Sequence, residues 1–213
     1  MSRGGCSAGG SQYVKALGDV LQFLDQRQEA LDRYDQALRI YREVGDRLGE
    51  ANTLKAIGDV LQFLKQSQEA LDRYDQALRI YREVGARLGE ANTLKAIGDV
   101  LQFLKQSQEA LDRYDQALRI YREVGDRLGE ANTLKAIGDV LQFLKQSQEA
   151  LDRYDQALRI YREVGDRLGE ANTLKAIGDV LQFLKQSQEA LDRYDQALRI
   201  YREVGARLGK PIR

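Results

Sequence analysis

The sequence predicts an all-α fold, an α-solenoid of five tandem helix-turn-helix repeats, and three observations predict it. The same forty residues return five times between Ser11 and Lys210, nearly letter for letter. Within each copy, apolar residues recur at three- and four-residue spacing, the period of one face of a helix, and they form two successive stripes. A short polar segment, Lys65-Gln66-Ser67 in the second copy, separates the stripes. A unit of this size cannot bury its own apolar face, so neighbouring units must stack and share a continuous core.

Residues 1–10, MSRGGCSAGG, hold four glycines, two serines and no helical period, and are read as a flexible leader. One solenoid then occupies residues 11–210 with no linker, in repeats 11–50, 51–90, 91–130, 131–170 and 171–210, followed by a tail, 211–213. In the second repeat Leu54, Ile57, Leu61 and Leu64 mark the first helix, helix A. Ser67 is placed to accept the unpaired amide hydrogens that open the second. Helix B carries Leu71, Tyr74, Ala77, Leu78 and Tyr81 on its dry side and Asp72, Asp75, Arg79, Arg82 and Glu83 on its wet side. Gly85 suits the left-handed residue that ends a helix. Asp126 and Asp166 are placed to cap the next helix A, which starts before the forty-residue boundary and runs through Gly129 and Glu130. Ala86 and Ala206 replace that aspartate, a loss of about 1 kcal/mol at each turn, which should fray. The first repeat departs further, with Asp25, Arg27, Tyr13 and Val14 where the second has Lys65, Ser67, Thr53 and Leu54.

Composition removes whole classes of function. Lys plus Arg number 33 and so do Asp plus Glu, which leaves no net field to gather nucleic acid or an anionic membrane. Histidine is absent and Cys6 is the only cysteine, so most metal sites and most nucleophile-base arrangements are excluded, and no cofactor is expected. Apolar runs are far short of a membrane span and the N-terminus lacks a signal peptide's apolar core, which reads as a cytoplasmic chain. Cys6 reads either as an attachment point or as a thiol prone to intermolecular disulfides. Acid catalysis needs carboxylates held at different pKa values, and equivalent solvated aspartates repeated along an array do not supply them.

Leu54, Ile57, Gly58, Leu61, Ala70, Tyr74 and Ala77 follow an order of large, apolar, glycine, large, alanine, aromatic, alanine. This pattern resembles the tetratricopeptide repeat, across essentially all of residues 11–210. Gly58 and Ala70 let two helices approach closely and Tyr74 fills the space beside them. The usual proline near the end of helix B is Arg82 here, so helix B should run to about Val84. The forty-residue form, with GDRLGEA between units, is similar to repeats of kinesin light chains and of bacterial signalling proteins.

The resemblance implies a right-handed superhelix and a non-catalytic scaffold that binds a peptide or protein segment in a concave groove lined by helix A. The matching side chains are Asn52, Lys55, Asp59, Gln62 and Phe63, with Asn92, Lys95, Asp99, Gln102 and Phe103, and Asn132, Lys135, Asp139, Gln142 and Phe143. They read either as polar handles with phenylalanine anchors or as a solvated groove with incidental aromatics. Lys55 and Asp59 are four apart and pair with each other, and Asp59 stands where the family's carboxylate clamp has asparagine. On the outer face Glu69 with Arg73 and Asp75 with Arg79 are solubilising pairs worth ~0.2–0.5 kcal/mol.

After Gly209-Lys210 comes Pro211, and no polar closing helix is evident. Helix B of the last repeat and helix A of the first therefore offer complementary apolar faces, and copies should associate head to tail in an open-ended manner. Such a self-associating structural module is the alternative to the scaffold. The uniformity of the copies fits both a designed consensus array and recent tandem duplication.

Overall fold

The computed structural model describes residues 5–207 and divides by contacts into two compact units, Met1–Gln106 and Ser107–Arg213. The described residues are helical with no strand. The first unit holds α1 (Gly5–Phe23), α2 (Arg27–Val44), α3 (Arg47–Phe63), α4 (Ser67–Glu83) and α5 (Arg87–Phe103). The second holds α6 (Ser107–Val124), α7 (Arg127–Phe143), α8 (Ser147–Val164), α9 (Arg167–Phe183) and α10 (Ser187–Arg207). Odd-numbered helices are the A helices and even-numbered ones the B helices, an all-α tandem helix-turn-helix solenoid. Within a repeat the pair is antiparallel: Tyr74 of α4 meets Asp59 of α3, and Tyr81, two turns on, meets Asn52, two turns back.

Both kinds of turn end a helix in the same way. After α3, the Gln66 amide donates to the Leu61 carbonyl at 2.9 Å and the Lys65 amide to the Gln62 carbonyl at 3.0 Å, the paired bonds of a Schellman motif. After α2, Asp46 and Gly45 do the same with the Tyr41 and Arg42 carbonyls. The left-handed residue of the second motif is glycine, as its sequence predicts, with φ of 74° at Gly45. That of the first is not glycine. Lys65, Lys105, Lys145 and Lys185 hold φ of 61° or 62°, and Asp25 holds 64°. A side chain there crowds the following carbonyl, at a cost of roughly 1–2 kcal/mol per residue.

Asp46, Asp126 and Asp166 cap the next helix A as expected, each accepting from the amide three residues on at 2.8–2.9 Å, and Ala86 makes no such bond. Three expectations are corrected. Ser67 does not cap α4: the cap residue is Gln66, without a side-chain bond, and Ser67 is the first helical residue and buried. Gln66, at φ −86° and ψ 65°, takes the cap position and leaves the serine buried one residue inside the helix. The leader is not wholly irregular, because α1 begins at Gly5. Lengthening a helix already packed at Gly18 is far easier than nucleating one, and nothing in residues 5–10 forbids it. At the other end α10 continues through Gly205 and Ala206 to Arg207 with no turn there. Ala86 is equally uncapped, but α5 packs behind it and fixes the turn. Residues 1–4, the Cys6 side chain, Lys210 and the 211–213 tail lie outside the described residues.

The core differs in detail from the predicted stripes. Leu54, Ile57, Leu61, Tyr74, Ala77, Leu78 and Tyr81 are buried, but so are Val60 and Ile80, while Leu64 is 37% exposed and Leu71 only half-buried. Val60 and Ile80 widen the buried faces beyond the stripes read from the sequence. Two close approaches set the spacing. A Cβ on Gly58 would lie 2.5 Å from the Tyr74 ring, within the repeat, and one on Gly89 would lie 2.4 Å from Tyr81, between repeats.

Between repeats the sequence gives little notice of a second contact. Glu90, in the first turn of α5, is buried, and its carboxylate accepts from Arg82 Nε of α4 at 2.8 Å and from Arg87 at 2.5 Å. Glu50, Glu130 and Glu170 are held by the equivalent arginine pairs. Arg47 also reaches Glu83 at 2.6 Å, and Arg167 reaches Glu203 at 2.7 Å, which ties the start of helix A to the end of helix B. No described helix is long and apolar enough to cross a membrane, and no described group of His, Cys, Asp or Glu is arranged to hold a metal.

Ala86→Asp, which restores the missing acceptor for the Gly89 amide, is expected to stabilise the chain by about 1 kcal/mol, read as a higher denaturant midpoint at unchanged slope. Lys145→Gly relieves the left-handed strain and loses part of the gain to unfolded-chain entropy; a net stabilisation of ~0.5–1 kcal/mol is expected, and a lower midpoint contradicts it.

Candidate functional site

Asn52, Lys55, Asp59 and Gln62 recur at spacings of three, four and three, which places them on one stripe of α3. The stripe is tied from below by the tyrosines of helix B. Tyr74 donates to Asp59 Oδ1 at 2.8 Å, with Gln62 Oε1 a second acceptor at 3.1 Å. Tyr81 donates to Asn52 Oδ1 at 2.7 Å. Lys55 Nζ lies 2.8 Å from Asp59, as its spacing predicts. In the second unit Tyr154 repeats the bonds to Asp139 and Gln142, Tyr161 the bond to Asn132, and Lys135 the pair with Asp139. On α5, Lys95 pairs with Asp99 at 2.8 Å, and Asn92, Asp99 and Gln102 have further partners.

This arrangement decides what the stripe offers. Burial, then the Asp59 charge, pushes the Tyr81 phenol up to about 12, and burial with Asp59 raises Tyr74 further. Both phenols stay protonated and remain donors. Because the Tyr81 hydroxyl takes Asn52 Oδ1, the exposed side of that amide is its NH2, with hydrogens to donate. Asp59 divides its charge between Lys55 and Tyr74, so neither ion of the pair is a free handle. The stripe is thus locally neutral and donor-bearing, fixed in rotamer before any ligand arrives.

The phenylalanines belong to a different place. Phe63, at the last turn of α3, is 65% exposed; Phe103, Phe143 and Phe183 are comparably open, and Phe23 is more so. Phe63 and Phe103 line a cleft of about 330 Å³ with Gln62, Lys65, Ser67 and Val100. Phe23 and Phe63 line another of about 320 Å³ with Asp19, Gln22 and Arg27, whose guanidinium lies 5.2 Å from the Phe63 ring centroid. The candidate set therefore separates into a polar stripe along helix A and a row of phenylalanines at the A-to-B turns, with clefts beside Phe23, Phe63 and Phe103 in the first unit, joined at Gln62. Arg27, Ser67 and Val100 are cleft residues that sequence reasoning missed. The return of Phe at every fortieth residue was a signal for the row, but nothing local marked its walls.

The helix pairing, the glycine-tyrosine contacts and the helix A stripe agree with the comparison to protein families: the tetratricopeptide repeat model matches residues 12–83, 89–163 and 131–203. The chain belongs to the tetratricopeptide repeat family. Its fold is similar to that of BtubC (BKLC) from P. vanneervenii, with a TM-score of 0.83 and 19% identity over 95% of this chain and 82% of the other. The nearly identical repeats of a putative kinesin light chain from Podospora anserina align with a TM-score of 0.73 and 18% identity, over 91% and 95% of the two chains. A Rap protein solved in complex with competence and sporulation factor aligns with a TM-score of 0.75 and 18% identity, over 94% of this tetratricopeptide chain and 55% of its own. No curated protein sequence matches the chain.

Tyr154→Phe removes a hydrogen bond to a charged acceptor and is expected to cost ~1–2 kcal/mol in a denaturant titration. Paired with Asp139→Asn in a double-mutant cycle, the two changes should not add; strict additivity contradicts the coupling.

Proposed function

We propose that this chain is a non-catalytic, cytosolic interaction scaffold that binds an extended peptide along the helix A stripes. The observation that carries the reading is the tyrosine-asparagine bond, which aims the amide hydrogens of Asn52 outward in the first unit and those of Asn132 outward in the second, each a donor suited to the carbonyls of an extended backbone. Local neutrality of the Lys55–Asp59 pair favours backbone recognition over capture of a charged terminus. The phenylalanine clefts supply room for apolar side chains of the same ligand. That a similarly folded Rap protein was solved with competence and sporulation factor supports a peptide or protein partner in kind.

A second reading, head-to-tail association of copies, is favoured by the exposure of Val20 on α1, 55% against 0% for Val60. Light scattering over a hundredfold concentration range separates the two: growing mass supports association of copies, and a constant mass near 24 kDa contradicts it. For the groove, a displayed peptide library selected on the chain is expected to yield binders that weaken several-fold on Asn52→Ala or, where they seat on the second unit, on Asn132→Ala. Binders indifferent to both changes overturn the reading.

A further inference from the structure

Phe63 takes part in two clefts of the first unit, one shared with Phe23 and one with Phe103. They are the same place in successive repeats: Gln22, Phe23, Arg27 and Phe63 of the first become Gln62, Phe63, Ser67 and Phe103 of the second, forty residues on. Their charges differ. In the first cleft the Arg27 guanidinium rests over the Phe63 ring and is neutralised by Asp25 at 2.5 Å, and Asp19 adds a carboxylate to the wall. In the second, serine replaces that arginine and Lys65 replaces Asp25, so the wall holds a single charged side chain, a cation, beside the two rings and the buried Val100.

Lys65 has no counter-ion of its own. Among the described residues Lys55, Lys95, Lys135 and Lys175 each pair with an aspartate at 2.8 Å, whereas Lys65, Lys105, Lys145 and Lys185 make no ion pair. One series of lysines is spent inside the chain and the other is left to solvent at the turns.

We propose that the cleft between Phe63 and Phe103 binds a segment of a partner protein in which a large apolar side chain is flanked by aspartate or glutamate. The apolar group seats between the rings beside Val100, and the carboxylate meets Lys65. A basic flank is repelled there, and a neutral one leaves the lysine unpaired. The cleft, of about 330 Å³, is at the lower end of the range for small-ligand sites, roughly 300–1,000 Å³, which suits one side chain rather than the face of a helix. This inference rests on the peptide-binding reading above and adds the charge of the ligand at the turn edge. The second unit carries the same residue types in Phe143, Lys145, Ser147, Val180 and Phe183.

The probe is the peptide acetyl-Ser-Asp-Leu-Leu-Asp-Ser-amide, titrated into the full chain and followed by NMR. Saturable binding is expected, several-fold weaker when both aspartates of the peptide are asparagine, with the difference narrowing at high salt. Chain carrying Lys65→Asp, Lys105→Asp and Lys145→Asp together should bind the acidic peptide more weakly and a lysine version of it more tightly than the unaltered chain does. Asp25 already occupies this left-handed position in the first repeat, so the exchange should fold, and the melting temperature checks it. Phe63→Ala with Phe103→Ala and Phe143→Ala should weaken the acidic peptide several-fold, and these rings are exposed enough to be removed without unfolding the chain. Absence of binding, equal binding of the asparagine peptide at low salt, or no reversal of preference in the lysine-to-aspartate chain overturns the proposal. A peptide that weakens on Asn52→Ala but not on the phenylalanine changes also overturns it, and leaves the reading of the helix A stripe standing.

Discussion

The seating of a tyrosine against a glycine is the constraint on which the other features depend. Without a Cβ at Gly58, the Tyr74 ring enters the space between α3 and α4, and without one at Gly89, the Tyr81 ring enters the space between α4 and α5. One contact fixes the pair within a repeat and the other fixes the step between repeats. The same rings carry the site: once seated, each phenol projects its hydroxyl to the far side of helix A, at Asp59 or Asn52. Packing and the groove are therefore two ends of one side chain. A ligand that pulled Asn52 away from Tyr81 would have to leave a half-buried hydroxyl unpaired, which keeps the stripe rigid.

Electrostatics follow the same economy. The buried carboxylate of Glu90 would be costly alone, but it accepts from two guanidinium groups that remain half in water. The tie runs from helix B of one repeat to helix A of the next, beside the Tyr81–Gly89 contact, so the junction is held by shape and by charge at one point.

Periodicity made most of this fold legible. The three- and four-residue stripes located α2 to α9 to within a turn, and Gly45, Asp126 and Asp166 announced their turns because their chemistry admits few alternatives. The left-handed lysines were not legible, since lysine has no preference for that backbone and tertiary packing imposes it. Ser67 misled for the converse reason: its chemistry suits a cap, and its neighbours turned it inward. At the site, the helix A stripe could be read from spacing, but its state of engagement could not. Asn52 and Tyr81 are twenty-nine residues apart, and only the antiparallel pairing brings them together. Phe63 was grouped with the stripe by sequence proximity, although one residue along a helix is about 100° around it, enough to move it to the turn edge.

The junctions of α2 with α3, α4 with α5, α6 with α7 and α8 with α9 use the same arginine, glutamate, tyrosine and glycine registers. Any helix B is therefore an acceptable neighbour for almost any helix A. During folding, a chain that mispairs by one whole repeat forfeits contacts only at its ends, so the array has a family of near-degenerate traps displaced by forty residues. The same degeneracy makes repeat number a free variable: excising or inserting one unit leaves every remaining junction chemically unchanged, and the length of such a chain can drift without any interface having to be reinvented.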